Sequence, residues 1–251
     1  MALTDEKIVP KIIMQTWKNK EVPDIWKESI QSIKEIMPDW KHVLMTDEEN
    51  RNLVKEHFPD FLSYYDNFPY PIQRADAVRY IWLYLYGGIY MDLDIAVQKD
   101  LSPILGNEDF YLVTSGNVGT SFTNSFMISK PKVDFWLQVI EEMKKPVPSW
   151  CATKHLIVMN STGPLMLSRV ANNYNKKFGF IPAKQFNDCN VCNQDICNSP
   201  DNYTKVLRGQ SWCGWDSKFL NFCLCYGKKL MIYIFVFLIV IILFFVLKRY
   251  F

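Results

Sequence analysis

Residues 74–95 read RADAVRYIWLYLYGGIYMDLDI, a helix, a stop and a strand in one short segment. Over residues 72–86, Ala75, Val78, Ile81, Trp82 and Leu85 recur at three- and four-residue intervals, the spacing of one buried helical stripe. Asp76 and Arg79, three apart, fall on a different face and are close enough to pair. On an exposed surface such a pair contributes well under about 1 kcal/mol. Gly87 and Gly88 tolerate positive φ and predict the end of the helix. The chain then enters a strand with Ile89, Met91 and Leu93 on one face and Asp92 and Asp94 on the other. So short a connection carries Asp76 and Arg79 toward the end of the strand that holds the two aspartates. Paired carboxylates at the mouth of an apolar strand are costly without a cation. Hard divalent ions, Mg²⁺ or Mn²⁺, are held by one or two such carboxylates plus ligand phosphates. Asp-x-Asp alone is a common pattern of solvated turns, so its neighbours carry the argument.

Outward from this segment, strand-like and helix-like stretches alternate. Residues 11–17, 41–45, 110–114 and 125–128 read as strands. Residues 25–37 and 134–143 read as helices, the first with Ile25, Trp26, Ser29, Ile30, Ile33 and Met37 at helical spacing. Thr46 followed by Asp47, Glu48 and Glu49 predicts a capped helix start. The alternation predicts an α/β layered fold with a mostly parallel sheet. Ligands in such sheets lie beyond the carboxyl ends of the strands, where Asp92 and Asp94 fall. The 251 residues can bury one substantial core, and 49% hydrophobic content excludes a disordered chain. A net charge of +2 with scattered lysines excludes a nucleic-acid binder. No phosphate-binding P-loop, G-x-S-x-G or H-E-x-x-H motif is present.

The pattern Ala-Asp-x-x-Arg-Tyr…Tyr-Gly-Gly-Ile-Tyr-x-Asp-x-Asp is complete over residues 75–94. It resembles the DXD-containing sugar transferases, a family that includes initiating α-1,6-mannosyltransferases, mannosyl-inositol-phosphoceramide synthases and glucosylating clostridial toxins. The lead-in FPYPIQR, residues 68–74, is most similar to the inositol-phosphoceramide branch. Residues 9–18, VPKIIMQTWK, resemble the family's opening strand Ile-Pro-Lys-Ile-Ile-His-Gln-x-Trp, with Met14 in place of the histidine. Residues 124–131, NSFMISKP, resemble the segment after the DXD strand, and residues 161–164, STGP, the family's Thr-Gly-Pro turn. Residues 208–212, RGQSW, resemble a later His-x-x-Gly-Ser-Trp region, here without its histidine.

The resemblance implies a GT-A nucleotide-diphospho-sugar transferase fold and a retaining, metal-dependent hexosyl transfer with Mn²⁺ or Mg²⁺. It implies that Asp94 coordinates the metal, with Asp92 shared between the metal and the ribose. Asp76 and Arg79 would contact the nucleotide ribose and donor sugar, and Asn124 would approach that sugar. Trp17 would stack on the base; read without the family, it is a core tryptophan at a strand end. Ser211 and Trp212 would add a metal or diphosphate contact. The implied donor is GDP-mannose or a UDP-hexose. The implied acceptor is a membrane-proximal glycolipid of the inositol-phosphoceramide type, with a protein or N-glycan as the alternative. A nucleotide-sugar hydrolase and an inactive sugar-binding membrane protein are the readings from other classes.

The carboxyl end differs in kind. Residues 230–247, LMIYIFVFLIVIILFFVL, carry no charge and lie between Lys228-Lys229 and Lys248-Arg249. As a helix the run spans roughly 27 Å at about 1.5 Å per residue, enough for a thin membrane. The expected organisation is a catalytic domain over residues 1–222, a linker over 223–229, a single membrane span over 230–247 and a tail over 248–251. Polar opening residues and a short tail suggest a cytoplasm-facing catalytic domain, with a Golgi- or ER-lumenal face as the alternative. Asn160-Ser161-Thr162 and Asn202-Tyr203-Thr204 fit glycosylation sequons. Of the seven cysteines, Cys189, Cys192 and Cys197 have the spacing of a partial zinc knuckle, although loop thiols or disulfides fit better.

Overall fold

The computed structural model describes residues 8–115, 121–187, 189, 192, 199–209 and 211–250. Apart from two single turns of 3-10 helix, the elements in chain order begin with β1 (Ile12–Thr16), α1 (Lys27–Ile36), β2 (Lys41–Met45), α2 (Asp47–His57), α3 (Pro59–Asn67) and α4 (Pro71–Tyr86). Then come β3 (Gly88–Met91), β4 (Ile95–Val97), β5 (Phe110–Thr114), β6 (Phe122–Ser129), α5 (Asp134–Glu142), α6 (Lys154–Ser161) and α7 (Pro164–Asn172). Last are β7 (Gly179–Ile181), α8 (Ala183–Phe186), β8 (Thr204–Val206) and α9 (Trp215–Tyr250). The chain divides into two compact units, Met1–Trp212 and Cys213–Phe251.

In the first unit, six strands form one sheet in the order β2-β1-β3-β6-β5-β7. β1 runs parallel to β2 and β3, and β5 parallel to β7, while β6 is antiparallel to both its neighbours. The mostly parallel sheet thus carries one reversed strand. β4 and β8 pair separately, antiparallel to each other. Successive strand residues feed two cores on opposite faces, as the two-residue strand period requires. Met14, Tyr90, Leu112 and Met127 pack with α4, α5 and α7, and Ile13, Ile89, Met91 and Ile128 with α1 and β4.

Local chemistry fixes several boundaries. Thr46 caps α2 by accepting from the Glu49 amide, and Glu49 returns the bond to the Thr46 amide. Gly163 precedes Pro164 at the first turn of α7, where proline's missing N–H costs nothing. Helix α4 begins at Pro71, one residue before the expected start. It is not a surface helix with a single buried stripe: Ala77, Tyr80 and Leu83 are buried along with Val78, Ile81 and Trp82. The helix packs on β3 and β6 and against α2, α3, α5 and α6, so little of it faces water. Asp76 and Arg79 are therefore interior groups rather than an exposed ion pair.

The second unit is α9, a continuous helix of 36 residues. Residues 230–247 lie on it, and most of their side chains fall outside the described residues. Among the described residues no helix is long and apolar enough to cross a membrane. Cys189, Cys192 and Cys225 are disulfide-bonded, which removes the thiolates of the partial zinc knuckle; Cys197 lies outside the described residues.

Candidate active site

Strand β3 ends at Met91, so the expected alternation does not reach the acidic pair. Asp92 to Asp94 instead form a turn, closed by the Ile95 amide donating to the Asp92 carbonyl at 3.1 Å. Both carboxylates are half-buried, and they share a turn rather than one strand face. The turn is anchored from three sides. The Asp92 amide donates to the Ser125 carbonyl on β6 at 2.8 Å, and the Leu207 amide to the Asp94 carbonyl at 2.6 Å. From β1, the Gln15 side-chain amide donates to the Asp92 carbonyl at 3.3 Å. Because Met14 lies opposite Tyr90 in parallel register, β1 and β3 finish together and the turn stands just beyond them. Carboxyl strand ends are where open α/β sheets hold ligands.

Behind the turn lies a buried charge network. Arg79 forks between Asp76, with Nη2 to Oδ1 at 3.0 Å, and Asp92, with Nη1 to Oδ1 at 3.1 Å. Its Nη1 also donates to the Asn124 carbonyl at 2.8 Å, and its guanidinium stacks 4.5 Å from the centre of the Tyr90 ring. The Tyr90 hydroxyl donates to Asp92 Oδ1 at 2.6 Å. Asp76 receives further bonds from Asn124 Nδ2 at 3.0 Å and from the Thr162 hydroxyl at 2.9 Å. Tyr80 accepts from Asn124 and donates to the Thr162 carbonyl. The Asp76 and Arg79 side chains are only about 5% and 4% exposed, against 30% for Asp92. The interior of this network is saturated, and its open edge is acidic.

Electrostatics follow from that geometry. Burial works against the charge of Arg79, but Asp92, Tyr90 and Asp76 outweigh it and raise its pKa. Burial raises Asp92, with Arg79 opposing. Burial, then the neighbouring Asp92 carboxylate, pushes Asp94 up to about 7. Asp76 is pushed up to about 6, again chiefly by burial. Arg79 offsets part of the negative charge of Asp92, and Asp94 makes no ion pair with it. Two hard oxygen donors with surplus negative charge suit a divalent cation that completes its shell with water and phosphate oxygens. Among the described residues no cluster of three or more His, Cys, Asp or Glu side chains could enclose a metal. The donor set therefore fits an ion shared with a phosphate-bearing ligand better than a closed structural site.

Residues 23–111 match the family model described as a glycosyltransferase sugar-binding region containing the DXD motif. The chain is 36% identical over 218 residues to Inositol phosphoceramide mannosyltransferase 2 of Schizosaccharomyces pombe, covering 86% of this chain and 61% of that protein. It is 39% identical over 170 residues to Mannosyl phosphorylinositol ceramide synthase SUR1 of Saccharomyces cerevisiae, covering 68% and 44%. The chain belongs to the DXD-containing sugar transferase family. It spans about half the length of these curated relatives. Among solved structures it is similar to the PaToxG glycosyltransferase, with a TM-score of 0.51 at 15% identity over 65% of this chain and 68% of that one. That likeness, with the sheet described above, gives the first unit a GT-A glycosyltransferase fold.

The other residues that the family resemblance singled out fall in two places. Trp17 follows β1 directly and meets Trp26 edge-on at 4.8 Å, half-exposed at the same end of the sheet as Asp92. Asn124, on β6, lies inside the charge network. Trp212 stacks on His155 at 5.4 Å, and its carbonyl accepts from Lys154 Nζ at 2.7 Å; Ser211 is exposed. Among the described residues, Trp212 thus makes its contacts with Lys154 and His155 rather than with Asp92 or Asp94. Tyr90, Thr162, Tyr80 and Gln15 serve the turn or its network without having been singled out as site residues. Tyr90 carried a signal of its own, because a buried tyrosine hydroxyl needs a partner and Asp92 lies two residues on. Gln15 also carried a signal, as a polar residue inside an apolar strand must find partners.

Proposed function

We propose that the chain is a metal-dependent, retaining hexosyltransferase that moves mannose from GDP-mannose to a membrane-proximal glycolipid of the inositol-phosphoceramide type. The observation that carries this reading is the acidic turn. Asp92 and Asp94 are half-open at the end of a GT-A sheet, and the two relatives are named an inositol phosphoceramide mannosyltransferase and a mannosyl phosphorylinositol ceramide synthase. Asp94 is the direct metal ligand in this reading, with Mn²⁺ or Mg²⁺ as the ion. Asp92 would help to hold the ion and the ribose through its second oxygen, its first being occupied by Arg79 and Tyr90. A bound divalent ion would neutralise charge building on the departing nucleoside diphosphate. Arg79 holds Asp92 in place, and Asp76 balances the buried guanidinium. For either to touch the donor, the ligand has to displace one of their present bonds. Trp17 offers a half-open ring for the base, and Ser211 and Trp212 a more distant contact for the diphosphate. Among the described residues no side chain stands out as a covalent nucleophile, which favours a front-face transfer in which the leaving phosphate assists the acceptor hydroxyl.

Residues 230–247 serve in this reading as a membrane anchor that keeps the site near lipid, with residues 1–222 as the catalytic domain and 223–229 as the link. Disulfides persist in oxidising compartments. Cys189, Cys192 and Cys225 therefore favour a lumenal over a cytoplasmic catalytic domain. The deciding experiment presents labelled GDP-mannose and UDP-hexoses, with and without Mn²⁺, to inositol-phosphoceramide vesicles and to a glycoprotein. Mannose on the lipid, dependent on Mn²⁺ and lost in Asp94→Asn with the fold retained, is expected. Sugar released without acceptor makes the protein a hydrolase, and full transfer by Asp94→Asn removes the metal assignment.

A further inference from the structure

A chain of buried polar side chains runs into the acidic turn from the face of the sheet opposite Arg79. Gln15 lies on β1, between β2 and β3, and is completely buried. Its Nε2 donates to the Ser29 hydroxyl on α1 at 2.8 Å and to the Asp92 carbonyl at 3.3 Å. The Ser29 hydroxyl in turn donates to the Ile95 carbonyl through a short bond. Behind Gln15, its Oε1 accepts from His42 Nε2 on β2 at 2.9 Å. Chemistry fixes the direction of every bond in this relay. The Asp92 carbonyl can only accept, so the Gln15 amide has one orientation; its Oε1 can only accept, so His42 carries its proton on Nε2. Two carbonyls of the Asp92–Ile95 turn are thereby held by one connected set of donors.

We propose that Gln15 is a positioning residue for the Asp92–Asp94 turn, setting the aim of its two carboxylates through the Asp92 and Ile95 carbonyls. A buried amide in the middle of an apolar strand costs desolvation that an aliphatic residue of the same size would avoid. Here its two donors are both spent, one on the turn and one on the serine that also holds the turn. The alternative, that the amide merely satisfies its neighbours, is testable because α1 carries an internal control. Ser32, three residues on, is also buried and bonds the Val97 amide of β4 at 2.9 Å, but touches neither carbonyl of the turn.

The inference rests on the metal reading proposed above, and the experiment separates the two. Mn²⁺ binding is titrated calorimetrically for wild type, Gln15→Met, Ser29→Ala and Ser32→Ala, and amide hydrogen exchange at Ile95 is followed in the metal-free proteins. Outer-shell partners of metal ligands are worth about 10- to 100-fold in metal affinity. Gln15→Met and Ser29→Ala are expected to weaken Mn²⁺ by about tenfold or more and to speed exchange at Ile95. Ser32→Ala is expected to lose stability while keeping both values. If Gln15→Met proves too unstable to purify, Ser29→Ala decides alone. Wild-type Mn²⁺ affinity and exchange in Gln15→Met and Ser29→Ala overturn the proposal, as does an equal loss in Ser32→Ala. A wild-type protein that binds no Mn²⁺ overturns the metal reading instead, and exchange at Ile95 then decides the positioning role by itself.

Discussion

Arg79 shows how much one side chain can organise at the scale of residues. Its guanidinium joins Asp76 on its own helix to Asp92 on the turn, both at about 3 Å. Removing it leaves two carboxylates facing each other in a desolvated pocket. Arg79→Met is expected to cost about 3–5 kcal/mol in urea unfolding, the penalty for an orphaned buried charge. A loss below about 1 kcal/mol would mean that the pair behaves as a surface bridge after all. His42 gives a pH dependence whose sign follows from its surroundings. Burial, and then Lys34, lower its pKa. With the folded value below the unfolded value of about 6.5, its contribution to stability is complete above that pH and is lost as pH falls through the folded value. Asp76 and Asp94 act the other way, because a raised carboxylate pKa gives stability at low pH that is lost on deprotonation. The difference between wild type and His42→Gln isolates the histidine. Thermal unfolding from about pH 7.5 to 5.5 should show wild type losing more stability than the variant as pH falls.

The junction of α4 and β3 decides what happens at the scale of elements. Gly87 has φ +66° and Gly88 φ +86°, so both sit where side chains are strained. A Cβ on Gly88 would also come 2.5 Å from the Ile12 carbonyl oxygen, against the partner strand β1. This abrupt turn is what brings the inward face of α4 back over β3 and lets Arg79 meet Asp92. Gly88→Ala is expected to destabilise by more than about 1 kcal/mol and to weaken β1–β3 pairing, read as faster amide exchange at Ile89 and Tyr90. At Gly227, within α9, an added Cβ meets nothing within 4 Å. There alanine should leave stability unchanged or raise it by up to about 1 kcal/mol. Equal losses at the two positions would dismiss the junction as the reason for the paired glycines.

For the molecule as a whole, burial governs which sequence motifs are usable. Asn160 is 7% exposed and donates to the Leu156 carbonyl, while the adjoining Thr162 is committed to Asp76. Asn202 is 4% exposed, and Thr204 beside it is completely buried. Neither sequon can carry a glycan in this fold, so peptide mapping after expression through the secretory pathway should find both asparagines bare. An absent glycan consequently says nothing about orientation, and the proposed lumenal orientation is tested at the cysteines instead. Alkylation of denatured, unreduced protein should label Cys151 and Cys223 and spare Cys189, Cys192 and Cys225. Labelling of all five would return the catalytic domain to a reducing compartment.

The boundaries of β2 and β5, the Thr46 cap and the glycine stop after α4 were legible in the sequence because each depends on local periodicity or on a few adjacent residues. So was the acidic pair, since Asp92, Asp94, Asp76 and Arg79 lie within one continuous motif. The sequence alone could not place Asp76 and Arg79 in the interior, because the burial of α4 depends on helices and strands distant along the chain. Nor could it end β3 before Asp92 or bring Gln15 to that aspartate's carbonyl across 77 residues of sequence. The sequence determined which chemical groups the site contains. Only tertiary structure decided which of them are spent on one another and which stay open to a ligand, because desolvation and hydrogen-bond partnership depend on neighbours that sequence spacing does not specify.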